Sequence, residues 1–187
     1  MRYQGTWFAG GNALPTAARG AVGGSGPLRG AALDSVAREL GLRGFDWDAA
    51  QVSFCYPGYP QAMPGESPGR ARFRRERDAA HVDGLLPEGP QRRRHLREYH
   101  GFILGIPMVE FDAGASPFVV WEGSQEIMRD AYSRRFAGLA AEQWGEQDIT
   151  EAYHAARAQA FDECERVELH ARPGEAFIAH RLVLHGM

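Results

Sequence analysis

The chain has no lysine: all 21 of its cationic side chains are arginine. Set against 24 acidic residues they leave a formal net charge of −3, which excludes a nucleic-acid binder driven by bulk electrostatic attraction. Cysteine is almost as scarce. Cys55 and Cys164 stand far apart, form neither a CxxC pair nor a zinc pattern, and read as free thiols. Long apolar runs are missing too, since none approaches the ~20 residues that a membrane helix needs. Met1 to Gly11 has no basic head followed by an apolar stretch, so no signal peptide is expected. The expectation is a cytoplasmic protein with neither membrane nor nucleic acid as partner.

What is present suits one globular domain over residues 1–187, with 44% hydrophobic and 24% charged residues. Arginine clusters at 70–77 (Arg70, Arg72, Arg74, Arg75, Arg77) and at 92–97 (Arg92, Arg93, Arg94, Arg97). Each is read either as solvated surface or as a rim that draws in a carboxylate or phosphate, because guanidinium groups bind both in bidentate fashion.

Periodicity predicts helices at 28–41, 124–139 and 149–164, the last with Thr150 as N-cap. Residues 1–28 carry few strand or helix signals. Strands are predicted at 51–55, 99–111, 118–121, 166–170, 176–179 and 182–185. The proline-rich stretch from Tyr56 to Gly69 reads as a long loop of the kind that serves as a lid. Strands in the middle and at the end, around a helical insertion, point to a mainly β fold of sandwich or jelly-roll type.

Residues 81–83 read His-Val-Asp. On a strand, residues i and i+2 face one side, so His81 and Asp83 aim an imidazole and a carboxylate at one point while Val82 turns away. Two histidines and one carboxylate on one face of an iron leave three positions open. The third ligand is expected at His185, which follows the apolar run Leu182-Val183-Leu184 and precedes Gly186; His180 is its competitor. His95, His154 and His170 are read as structural or surface residues.

The order of these pieces resembles the phytanoyl-CoA dioxygenase family over roughly residues 50–187: the HxD motif, an apolar strand, a Gly-Ser turn in SPFVVWEGSQEIM (116–128), and the distal His-Gly in PGEAFIAHRLVLHG (173–186). In the family the turn continues with histidine, where this chain has Gln125. The resemblance implies a double-stranded β-helix of the jelly-roll or cupin kind, iron(II) held by His81, Asp83 and His185, and 2-oxoglutarate as cosubstrate for hydroxylating a small organic molecule. Tyr99, His100 and Trp121 are the residues expected to line the substrate pocket.

The family's cosubstrate arginine stands on the strand after the distal histidine, whereas this sequence stops at Met187. Three explanations are open: the last strand is missing, which is the expectation and makes 2-oxoglutarate bind weakly; another arginine, such as Arg97 or Arg181, takes over; or metal is bound without turnover. Two other readings compete: a jelly-roll protein that binds metal or ligand without turnover, and a zinc or cupin-type enzyme that uses the same histidines.

Overall fold

The computed structural model describes residues 2–112 and 114–187, and it divides the chain into two compact units. The first holds residues 1–72 and 112–116; the second holds 73–111 and 117–187. The resemblance from about residue 50 therefore takes in parts of both.

In the first unit β1 (Arg2–Gln4), β2 (Trp7–Leu14) and β3 (Ala50–Cys55) form an antiparallel sheet in that order, with α1 (Ala31–Glu39) between β2 and β3 in sequence. β1 and β2 were not expected. Their alanine- and glycine-rich sequence has no clean alternation, and the ladder itself slips in register between Gly10 and Leu14. Trp7 on β2 donates its ring N–H to Ser53 Oγ on the neighbouring β3 at 3.0 Å. The expected loop ends early, because α2 (Pro68–Glu76) starts inside it and runs on into the second unit. Its signal is local: Ser67 Oγ accepts the Arg70 N–H, and Pro68 takes the first helical position, where a missing N–H costs nothing. Five of the clustered arginines thus lie on or just after a helix rather than on a loop.

The second unit begins with the hairpin β4 (Leu85–Glu88) and β5 (Arg93–Leu96). β6 (Phe102–Gly105) follows, then β7 (Phe118–Glu122), α3 (Ser124–Arg135), α4 (Thr150–Glu163), β8 (Glu165–Leu169), β9 (Phe177–His180) and β10 (His185–Gly186). Ile149, not Thr150, is the N-cap of α4, and the Asp148 carboxylate just before it accepts the Thr150 N–H at 2.9 Å and the Thr150 hydroxyl at 2.6 Å.

β7 lies between β10 and β8, antiparallel to both, while β6 pairs with β9 as a separate ribbon. Register gives the three-stranded sheet two distinct faces. Phe118, Val120, Val167, Leu169 and His185 share one, where Val120 packs in a small apolar cluster with Ile103, Ala179 and Val183. Val119, Trp121, Arg166 and Gly186 share the other, where Val119 and Trp121 join the main core with Met128, Tyr132, Ile149, Tyr153 and Ala160 from the α3–α4 side.

The expected mainly β chain is corrected by these elements. Helix makes up 29% and strand 24%, and the described strands form small antiparallel sheets without a barrel. The apolar run 99–111 shows the reason: only Phe102–Gly105 finds a partner strand, and Ile106, Met108 and Val109 stay exposed. The segment 182–184 likewise lies outside β10, which is confined to His185–Gly186. No helix among the described residues is long and apolar enough to cross a membrane.

Candidate metal centre

His81 and His185 face each other across an isolated antiparallel bridge. The His81 N–H donates to the His185 carbonyl at 2.8 Å, and the His185 N–H donates back at 3.0 Å. This double bond sets the two rings with centroids 4.7 Å apart. Asp83 follows at i+2. Its neighbours in the alternation, Ala80 and Val82, are buried in the core, so His81 and Asp83 emerge together on the outer side even though only His81 makes a bridge. The chain then turns sharply. Gly84 has φ +82°, and a side chain there would overlap the Glu98 carbonyl.

The three side chains converge. His81 Nε2 lies 3.3 Å from Asp83 Oδ1, and His185 Nε2 lies 3.5 Å from Asp83 Oδ2. One ligand atom from each residue falls within 4.8 Å of the other two. For ligand bonds of ~2.0–2.2 Å, neighbouring ligands around one ion sit roughly 3 Å apart, so small side-chain rotations bring the set onto a single ion. His185 is 5% exposed and the His81 side chain 53% exposed, which closes the site on one flank and opens it on the other.

Both rings are turned the right way for metal. His81 Nδ1 lies 3.1 Å from the Ala79 carbonyl, and His185 Nδ1 lies 3.0 Å from the Val183 carbonyl. A carbonyl only accepts, so each Nδ1 carries the proton and each Nε2 lone pair is directed to the ligand point. Burial disfavours a charged His81, but the hydrogen bond and negative charge of Asp83 outweigh it and raise the His81 pKa. Burial alone would raise the Asp83 pKa too, yet the two imidazoles hold it well below the usual carboxylate range. The metal-free site thus favours a proton where a cation would sit.

Two features fix the strand that carries His185. Ser124 Oγ, fully buried, accepts the Leu184 N–H at 2.8 Å, and the Trp121 N–H donates to the Leu184 carbonyl at 2.9 Å. The Gly-Ser turn therefore pins the residue just before the ligand. Ser124→Ala leaves the Leu184 N–H buried without an acceptor and is expected to cost about 1–3 kcal/mol in urea unfolding; a loss within error of zero would mean that water replaces the hydroxyl. The second feature is aromatic. Phe118 stacks on His185 at 5.2 Å and on Phe177 at 4.6 Å, and Phe177 lies across Gly105, where a side chain would overlap its ring.

The structure brings His185, not His180, to His81 and Asp83. The His180 Nδ1 instead accepts the Leu182 N–H at 3.1 Å inside the turn. Trp121 does not join the site: it is 1% exposed, faces the core from the opposite side of β7 to His185, and meets Phe161 edge-on at 5.1 Å. Tyr99 is largely exposed and points its hydroxyl at the Ala141 carbonyl, 3.5 Å away. His100 Nε2 lies 3.3 Å from a Glu98 carboxylate oxygen. Arg97 is held by Glu88 across the β4–β5 hairpin through Nε and, at 2.9 Å, Nη2. Arg181 is exposed in the turn before β10.

Sequence reading passed over Arg94 as one of many. It is half-buried, donates through Nη1 to the Leu85 carbonyl at 3.1 Å, and stands 6.0 Å from the Tyr153 ring. Its positive charge acts on His81, and no carboxylate pairs with it among the described residues. Its neighbour Arg93, by contrast, is engaged by Asp148 and Glu151. In comparisons with known proteins, the chain matches no protein-family model, no curated protein and no solved structure.

Proposed function

We propose that this chain is an iron(II)- and 2-oxoglutarate-dependent dioxygenase that hydroxylates a small organic molecule. The observation that carries the reading is the convergence of two Nε2 lone pairs and one carboxylate on a single point, with both Nδ1 protons anchored on main-chain carbonyls. The donor set fits iron(II): two imidazoles and one carboxylate, with the His81 flank open for further ligands. The same proposal takes in the phytanoyl-CoA dioxygenase-like order of motifs and a double-stranded β-helix, supported by the antiparallel pairing of β7 with β8 and β10 and of β6 with β9.

Each residue has a definite task. His81 and His185 hold the metal through Nε2, and Asp83 supplies the negative charge. Phe118 covers the buried flank of His185 and keeps water from that ring. For the far carboxylate of 2-oxoglutarate this reading takes Arg94 ahead of Arg97 and Arg181: Arg94 is half-buried and its charge acts on His81, whereas the guanidinium of Arg97 is taken by Glu88 and Arg181 is exposed. When bound, iron and 2-oxoglutarate supply the oxygen-activating chemistry, in which the cosubstrate is oxidised to succinate and carbon dioxide.

The test is succinate release from 2-oxoglutarate by the iron-loaded chain in air. Release that requires iron supports the reading. Stoichiometric iron uptake with no succinate above a metal-free control leaves a metal-binding protein and sinks the oxygenase. Arg94→Gln is expected to weaken 2-oxoglutarate about ten- to a hundredfold, the effect of ~1.5–3 kcal/mol for a hydrogen bond to a charged group. Arg97→Gln and Arg181→Gln are expected to leave that affinity unchanged, and a drop in either would move the anchor.

A further inference from the structure

Asp78 and Ala79 both have positive φ, 49° and 51°. Neither is glycine, and two successive left-handed residues are unfavourable in an L-chain unless neighbours hold them. They lie immediately before the segment that delivers His81, and their carbonyls reach His81 itself and the backbone just after His185. The Ala79 carbonyl takes the Nδ1 of His81. The Asp78 carbonyl accepts the Met187 N–H at 3.0 Å and lies so close to Gly186 that any side chain there would overlap it. This one turn therefore sets the ring of one ligand and the backbone beside the other.

The Asp78 side chain is gripped from the sheet. Arg166 donates through Nε to Oδ2 at 2.8 Å and through Nη2 to Oδ1 at 2.9 Å. Its remaining nitrogen, Nη1, donates to Glu168 Oε1 at 2.8 Å, which fixes the guanidinium plane. Arg166 stands on β8 opposite Trp121 and on the same face as Gly186. The turn is thus bound to both edges of the sheet: to β10 through its main chain and to β8 through its side chain.

We infer that the Arg166–Asp78 pair is a positioning clamp for the two histidines, holding the left-handed turn so that Nε2 of His81 and Nε2 of His185 meet at one point. Its significance for metal rests on the centre proposed above. A fork is required for this task, because two parallel bonds fix an orientation that a single charge contact does not.

The experiment combines cobalt(II) titration of the full chain with nitrogen-15 NMR of its metal-free histidines at alkaline pH. Arg166→Gln is expected to raise the cobalt Kd about ten- to a hundredfold, the usual effect of losing a partner that orients a ligand. Arg129→Gln removes an equal charge from an exposed pair with Glu126 and is expected to leave the Kd unchanged. In the NMR arm, His81 shows the Nδ1–H tautomer in the unmodified chain and a mixture in Arg166→Gln. Should Arg166→Gln not fold, Asp78→Asn keeps the side-chain shape, loses the charged grip and is expected to show the same two effects. Equal cobalt affinity and equal tautomers in the unmodified chain and a folded variant overturn the clamp and leave the metal centre standing. No cobalt uptake by the unmodified chain overturns the metal centre, and the tautomer comparison then decides the clamp by itself.

Discussion

Manganese(II) or oxygen-free iron(II), added at a thousand times its Kd, is expected to raise the melting temperature by on the order of 10 °C. Binding to the folded state alone contributes about 4 kcal/mol at that excess, and a domain of this size gains roughly 2–4 °C per kcal/mol. His81→Ala and Asp83→Ala are each expected to abolish the rise without unfolding the metal-free chain, because both side chains reach solvent and Ala80 and Val82 carry the packing. The rise also depends on pH with a definite sign. The His81 pKa is raised on folding, so its protonated form stabilises the metal-free fold fully below its unfolded pKa, about 6.5. That contribution is lost as pH climbs through the raised value. Asp83, with its pKa lowered, stays ionised throughout this window and contributes equally at both ends. A cation that takes the place of the proton therefore gains on it as pH increases. The melting rise should be larger near pH 8 than near pH 6, and the reverse order would mean that the ion binds elsewhere. So would a full rise in His81→Ala.

The second large effect belongs to Gly186→Ala. The added methyl would overlap the Asp78 carbonyl, a main-chain atom in a turn that is itself pinned, so no rotamer change relieves it. Overpacking ordinarily costs ~1–3 kcal/mol, and a collision with fixed backbone is expected to reach about 3 kcal/mol or more. Because Gly186 adjoins His185, the same substitution should lower metal affinity as well. Gly69→Ala is the control: it lies in α2, its surroundings are open, and alanine there should be neutral or stabilising by up to ~1 kcal/mol. Denaturant unfolding of the two variants in parallel decides it, and equal midpoints would show that the turn yields.

The convergence of His81, Asp83 and His185 was legible because alternation is a property of a few residues. His81 and Asp83 lie two apart, and that spacing survives although the segment is only a bridge. His185 was legible through its apolar run and following glycine. What stood out of reach were pairings across long stretches of chain. Nothing in the run 116–121 tells which side of β7 faces a histidine 67 positions after Phe118; only the register, His185 against Val120, puts Phe118 beside the ring and Trp121 behind it. Arg94 could not be told from Arg93 or Arg97 by composition, since what separates them is the absence or presence of a carboxylate brought in by folding. The overestimate of β structure has a like cause. Apolar runs such as 99–111 satisfy strand propensity, but a strand needs a partner, and β9 offers only four residues of one.

The reciprocal bond between His81 and His185 has a consequence for the order of events in the cell. The two ligands are 104 positions apart in the sequence. At ~5–20 residues per second, a ribosome takes roughly 5–20 s to travel from one to the other. Throughout that interval His81 and Asp83 exist as an incomplete pair, open to any passing cation but unable to enclose it. On the proposed reading, loading with the right ion is then a late step, governed by which metals are abundant when His185 arrives, and a chain stalled in between would carry half a site.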